Sequence, residues 1–250
     1  MDAGDSLIQF QDVTFGYEPD RSVLRGISFT LDRAQRVGIV GPNGCGKTTL
    51  LHLIVGLLRP ASGCIRVFGA ARSAERDFHE VRRRVGLVFQ NPDDQLFCPT
   101  VLEDVAFGLM NLGKSRDEAR RIAARTLDRL GLSGFEKRIT YRLSGGEKRL
   151  VALASVLSMN PEVLLLDEPT AGLDEASRSR LLDVLGGLPQ AMIFVSHERR
   201  FMDHLATDLM RLEDGGLSSD RRKPAAPEIP APSPAHRPAA GDRRARPQSN

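Results

Sequence analysis

Residues 41–49, GPNGCGKTT, constrain this chain more than any other stretch. They contain the pattern G-x-x-x-x-G-K-[ST], preceded by the apolar run Val37, Gly38, Ile39 and Val40. Residues 47–58 follow as a predicted helix, with Leu50, Leu51, Ile54, Leu57 and Leu58 on its apolar positions. A glycine-rich loop set between a buried strand and a helix reads as a phosphate-binding loop rather than a flexible turn. Gly41, Gly44 and Gly46 let the backbone curl around an anion so that successive N–H groups point inward. The helix N-terminus adds about half a positive charge at the same place. Lys47 then reaches the β- and γ-phosphates of a triphosphate, and the Thr48 hydroxyl ligates Mg²⁺. Thr49 reads as the first turn of the helix, and Cys45 as a small residue in the loop.

At 250 residues and 41% hydrophobic content, the chain suffices for one large domain with an embedded subdomain. Its longest apolar run, residues 51–58, is interrupted by His52 and Gly56 and falls far short of a bilayer span. The first residues lack the basic and apolar segments of a secretory signal, so neither a membrane span nor export is expected. Cys45, Cys64 and Cys98 are scattered without metal-ligand spacing, as reduced cytosolic thiols are. The whole chain's net charge is +3, and residues 219–250, with seven basic and three acidic side chains, carry +4. The remainder is close to neutral, and nothing in it calls for nucleic acid. The same tail holds seven prolines and seven alanines, so it is expected to stay extended and disordered. It reads first as a solvated tail, with contact to anionic lipid headgroups as the functional alternative.

Residues 7–15 and 23–31 alternate apolar and polar positions as half-buried strands do, with residues 17–20 as the turn between them. Tyr17 has two readings, core packing or a ring that stacks on a base. Residues 64–68 and 85–89 read as further strands, separated by a charged helix over 74–84. The second strand ends at Gln90, whose amide either caps the strand or lies near a metal and an attacking water. Residues 100–112 and 115–130 read as two helices, the latter opened by a Ser115/Glu118 capping box. Adjacent helices in an otherwise strand–helix chain suggest a helical subdomain inserted at about residues 91–143. Its arginines Arg120, Arg121, Arg125 and Arg129 read as a solvated face first and a partner surface second.

LSGGE follows at residues 143–147, again with capping-box spacing between Ser144 and Glu147, at the head of a helix over 145–159. Two glycines in a first turn weaken a helix by about 1 kcal/mol each, so the bare backbone of Gly145 and Gly146 calls for a close anion. Residues 163–166 are four apolar residues delivering Asp167 and Glu168 at a strand end, beside the phosphate loop. There Asp167 holds Mg²⁺ through water, and Glu168 polarises the attacking water as general base. After a tight turn at 171–174 and a helix over 176–185, the strand 191–195 ends in Ser196 and His197. His197 is either structural or a hydrogen-bond donor to the γ-phosphate. Residues 207–212 and a turn at Asp214-Gly215 predict a closing hairpin, with the fold ending near Ser218.

Tyr17, the loop at 41–48, Gln90, LSGGE at 143–147, LLLDEP at 164–169, AGLD at 171–174 and His197 occur in an order that resembles the ATP-binding cassette ATPases, over about residues 7–218. The resemblance implies an α/β P-loop NTPase fold with a mostly parallel sheet core, an N-terminal antiparallel β portion and an inserted helical subdomain. It implies ATP and Mg²⁺ as cofactors, ATP hydrolysis, and nucleotide contact by Tyr17 and by Gly41, Pro42, Asn43, Gly44, Cys45, Gly46, Lys47, Thr48 and Thr49. It also implies Mg²⁺ contact by Thr48, Gln90 and Asp167, and catalysis by Glu168, His197 and Gln90. Two such domains face each other head to tail, with Ser144, Gly145, Gly146 and Glu147 of one closing on the ATP of the other, so a homodimer is expected.

Residues 90–108 together with 143–174 look more narrowly like the energy-coupling-factor ATPases, especially the cobalt and nickel branch. That likeness implies an importer subunit, peripheral to the cytoplasmic face of the cell membrane, which drives separate membrane subunits through a groove near Gln90. A vitamin importer of the same type and a soluble non-transport relative are the other readings. The chain departs from many relatives in carrying its proline–arginine tail where they have a folded extension.

Overall fold

The computed structural model describes residues 6–220. Alternation in the first segment builds β1 (Ser6–Glu18), paired antiparallel with β2 (Arg21–Asp32). Ile27, Phe29 and Leu31 turn inward, and Phe10 meets Phe29 at 4.8 Å between ring centroids. Both strands run further than their periodicity predicts. Glu18 pairs with Arg21, so the turn shrinks to Pro19 and Asp20, and Tyr17 lies on a strand.

β3 (Arg36–Val40) leads through the glycine-rich loop into α1 (Lys47–Ile54). α1 stops four residues short of the expected Leu58. Gly56 takes φ 71°, and a β-carbon on it would stand 2.3 Å from the Phe78 ring, so close packing replaces another helical turn. β4 (Ser62–Val67) and the short β5 (Ala70–Ala71) complete an antiparallel sheet in the order β2-β1-β4-β5. α2 (Glu75–Arg84) starts with the Asp77 carboxylate accepting from the N–H groups of Ser73 and Ala74. β6 (Val85–Val88) follows directly.

α3 (Val101–Asn111) and α4 (Arg116–Arg129) pack on each other and on α5 (Gly145–Leu157). The Ser144/Glu147 box forms in both directions at the start of α5. The Ser115/Glu118 box forms only in half. Ser115 accepts from the Glu118 N–H, but the Glu118 carboxylate takes the Lys114 ammonium at 2.7 Å.

β7 (Val163–Asp167), α6 (Glu175–Gly186) and β8 (Ala191–Val195) come next. α7 (Arg199–Leu205) is a helix that sequence periodicity does not announce, because two turns offer only Phe201, Met202 and Leu205 as buried positions. The hairpin of β9 (Asp208–Glu213) and β10 (Gly216–Ser219) closes the fold, and Asp220 N donates to Leu209 O just past its end. Apart from Ser219 and Asp220, the proline–arginine tail lies outside the described residues.

The second sheet has the order β10-β9-β3-β8-β7-β6, parallel throughout except for β10. Of its inner strands, β7 up to Leu166 and β8 throughout are unbroken apolar runs because both faces are covered. On β7, Leu164 and Leu166 enter the core shared with α3–α6, while Val163 and Leu165 enter the core shared with the antiparallel sheet and α1. Because β3, β6, β7 and β8 are parallel, the residues after Val40, Val88, Asp167 and Val195 emerge along one edge. A ligand crevice belongs at that edge of an open α/β sheet.

Candidate functional site

A cleft of about 1110 Å³ opens at this edge. Its wall includes Tyr17, Asn43, Gly44, Gly46, Lys47, Thr48, Thr49, Gln90, Asp167, Glu168 and His197. Gly46 is the N-cap of α1 at φ 106°, a conformation that costs glycine little, and no side chain caps the helix. The first N–H groups of α1 are thus left at the cleft wall, where they favour an anion.

The buried Lys47 ammonium donates to the carbonyls of Gly41 and Pro42, 2.9 Å to each. Those two bonds compensate the desolvation of the charge and hold it at the loop. Gly41, Pro42 and Cys45 do not line the cleft. The first two serve through their carbonyls, and Cys45 packs against the apolar core behind the loop. Thr49 Oγ1 lies 3.0 Å from the Tyr17 hydroxyl. The Tyr17 ring sits edge-on to Phe15 with 64% of its surface exposed, so it is a projecting plate rather than a core side chain.

Thr48 Oγ1 donates to Asp167 Oδ2 at 2.7 Å, joining the loop to the end of β7. Burial pushes the Asp167 carboxyl up from its ordinary range, opposed by the Thr48 hydroxyl and by His52 and Lys47. No cluster of three or more His, Cys, Asp or Glu that could hold a metal occurs among the described residues. Hydroxyl, carboxylate and amide oxygens at Thr48, Asp167 and Gln90 instead suit Mg²⁺, which keeps water and shares its ligands with substrate phosphates.

Glu168 has φ 45°, in the left-handed region that costs a residue with a β-carbon roughly 1–3 kcal/mol. Its N–H donates to Val195 O, and its carbonyl accepts from Ala171 N. The conformation turns the side chain into the cleft, where Oε1 comes 3.2 Å from His197 Nε2. That approach is not aligned as a hydrogen bond, and Oε1 is buried without a donor. Burial pushes the Glu168 carboxyl up, opposed by His197 and Lys47.

Ser144, Gly145, Gly146 and Glu147 do not line this cleft. Glu147 accepts from Ser144 N and from Arg138, both at 2.8 Å, which holds its carboxyl below the ordinary range, chiefly through the Ser144 N–H. A β-carbon on Gly145 would meet nothing within 4 Å, so its backbone is free for a ligand. Gly146 has another reason to be glycine, since a β-carbon there would run into Ser177.

Sequence reasoning missed Arg178, Thr170 and Glu198, which also line the cleft. Arg178 Nε lies 3.0 Å from Glu198 and Nη2 donates to Leu173 O, bracing the segment around His197. Only the position of Glu198, next to His197, could have signalled any of this.

The family described as "ABC transporter" matches residues 24–171. A "Putative ABC transporter ATP-binding protein" of Nitratidesulfovibrio vulgaris is 50% identical over 88% of this chain and 81% of its own length. The "Cobalt import ATP-binding protein CbiO" of Syntrophus aciditrophicus is 42% identical over 89% of this chain and 79% of its own. Among solved structures, cbiO1 from Clostridium perfringens, described as part of the ABC transporter complex cbiONQ, superposes with a TM-score of 0.78 at 32% identity, covering 86% of this chain and 87% of that one.

Proposed function

The chain belongs to the ABC transporter family and is an ATP-binding, ATP-hydrolysing cassette, and we propose that it is the ATPase subunit of an energy-coupling-factor type importer for cobalt or nickel ions, working as a homodimer on separate membrane subunits. The observation that carries the hydrolytic reading is the buried, donorless Oε1 of Glu168, held in the same cleft as the Lys47 ammonium. A carboxylate oxygen placed so is ready to accept a proton from water.

In this reading the N–H groups of the loop and of α1, with Lys47, bind the phosphates, and Tyr17 stacks on the base. Thr48, Asp167 and Gln90 hold Mg²⁺, which when bound neutralises charge on the β- and γ-phosphates. Glu168 takes the proton from the attacking water, and His197 donates to the γ-phosphate, orienting it for displacement of ADP. Ser144–Glu147 close over the nucleotide of a second copy, which is supported by their absence from their own chain's cleft and by the open face of Gly145.

The name of the Syntrophus relative supports a metal cargo, and the complex named for the Clostridium structure supports membrane partners. No helix among the described residues is long and apolar enough to cross a membrane, so the transport path falls to those partners. They dock near Gln90, where Phe97 and Phe107 stand exposed and edge to face at 4.7 Å. The chain thus works from the cytoplasmic face of the cell membrane, as a peripheral subunit.

Replacing Glu168 with glutamine tests the core of this reading. The variant binds ATP as the parent does, while turnover falls by about 10²–10⁴. Near-parental hydrolysis would remove Glu168 from its role. Uptake of radioactive cobalt or nickel by cells carrying the membrane subunits, abolished by the same substitution, tests the cargo. Accumulation of a vitamin instead would reassign it.

A further inference from the structure

Arg149 sits on the second turn of α5, two residues after Glu147, and its guanidinium reaches across to the segment that follows β7. Nη1 donates to the carbonyl of Glu168 at 3.1 Å, and Nη2 to the carbonyl of Ala171 at 2.7 Å. Neither contact follows from any motif in the sequence, and Arg149 does not line the cleft.

Left-handed backbone at a residue with a β-carbon persists only where its surroundings over-determine it. At Glu168 the main-chain ties are its N–H to Val195 O and its carbonyl from Ala171 N. Among the described residues, Arg149 supplies the side-chain hydrogen bond to that carbonyl, and it grips the far end of the same turn as well. A planar guanidinium can span two carbonyls in this way, whereas an ammonium is a single point of charge. The Arg149 pKa is lowered by burial, against the opposing charge of Glu168. On the residue before it, Lys148 Nζ reaches Asp93 Oδ1 at 2.5 Å, tying α5 to the turn after Gln90. One short stretch of α5 therefore touches the LSGGE cap, the Gln90 turn and the backbone of Glu168.

We propose that Arg149 is a positioning residue for ATP hydrolysis: it fixes the backbone of Glu168 to the helix headed by Ser144–Glu147, so that ordering of that helix against the nucleotide of a second copy sets the general base of its own site. This rests on the assignment of Glu168 as base and of Ser144–Glu147 as the closing half-site. Arg149 touches neither nucleotide nor reacting atoms, and acts on turnover rather than on affinity.

The test uses the full chain with Arg149→Met, which keeps the stem and removes both donors, and Arg149→Lys, which keeps charge and one donor. Arg149→Met lowers kcat by about 10–100-fold, the scale on which small misplacements of catalytic groups act. KM for ATP and binding of a fluorescent ATP analogue stay within about twofold, and Arg149→Lys recovers part of the loss. Adding Arg149→Met to Glu168→Gln leaves the residual rate unchanged, because the two substitutions remove one function. Parental kcat in folded Arg149→Met, a raised KM with kcat unchanged, or a full further loss on the Glu168→Gln background would each overturn the proposal. If Arg149→Met does not fold, Arg149→Gln takes its place in the same measurements. Glu168→Gln alone separates the two ideas: if it retains turnover, the base assignment fails whatever Arg149 does.

Discussion

Gly146 faces Ser177 so closely that a β-carbon on it would stand 2.5 Å from Ser177 Oγ and 2.9 Å from Ser177 Cβ. The hydroxyl can rotate away, but the β-carbon cannot, so α6 must shift to admit a methyl group. One residue earlier the surroundings are open. The LSGG pair therefore separates into a packing glycine and a glycine whose exposed backbone the proposed dimer needs.

Gly146→Ala accordingly lowers stability by about 1–3 kcal/mol, seen as a drop in Tm on the order of 5 °C, and adding Ser177→Gly restores most of it. Gly145→Ala leaves Tm unchanged or raised, since alanine is the better helix former by up to about 1 kcal/mol. It weakens ATP-driven dimerisation, measured by size-exclusion chromatography of the Glu168→Gln chain with ATP. Unaltered dimerisation in Gly145→Ala would place the closing surface elsewhere.

Tyr17 offers a second separation. Its ring is exposed, and its hydroxyl is engaged with Thr49. Tyr17→Phe keeps the ring and changes nucleotide affinity less than about threefold, the effect of one neutral hydrogen bond at a wet site. Tyr17→Ala removes a base-stacking plate worth roughly 1–3 kcal/mol, a loss of about 5–150-fold. Titration with a fluorescent ATP analogue distinguishes the two. Equal affinities in both variants would show that the ring does not stack on the base.

Asp104 governs a pH effect remote from the cleft. Its Oδ1 accepts from the N–H groups of Phe97 and Cys98, at 3.1 and 2.9 Å, while Oδ2 is buried without a donor. Burial raises the Asp104 carboxyl above its ordinary range, and the neighbouring Glu103 adds to this, while the Cys98 and Phe97 N–H groups oppose it. The adjoining Cys98 thiol is pushed up to about 11, first by burial and then by the Asp104 charge. A carboxyl raised on folding binds its proton more tightly in the native state. Its penalty is therefore absent below the unfolded value of about 3.9 and grows as pH rises through the native value. Asp104→Asn removes that titration. The variant is at least as stable as the parent at pH 7–8, and the difference shrinks toward pH 4, as urea unfolding at the two pH values would show. A constant difference across the range would mean that Asp104 does not titrate in the native state.

The strand ends were legible because each buried strand is an apolar run that stops abruptly at polar residues. Val40 before the loop, Leu166 before Asp167 and Glu168, and Val195 before Ser196 and His197 all follow this rule. Helix limits were less legible where neighbours decided them. Phe78 stops α1 at Gly56, and Lys114 takes the carboxylate that would have completed the Ser115 box. α7 escaped notice because two turns hold too few buried positions to show a period.

By itself, the sequence determined the chemistry available: a loop shaped for phosphate, two carboxylates at a buried strand end, and a capped glycine helix. These are local properties, written in side-chain type and spacing along the chain. Only the tertiary structure decided that the first two meet in one cleft and that the third stands outside it. Strand β8 lies between β3 and β7, so Thr48 reaches Asp167 and His197 reaches Glu168 through pairings made across more than a hundred residues and about thirty. The grip of Arg149 on the Glu168 backbone belongs to the same class, because a carbonyl oxygen is identical in every residue and leaves no trace in the sequence of what will bind it.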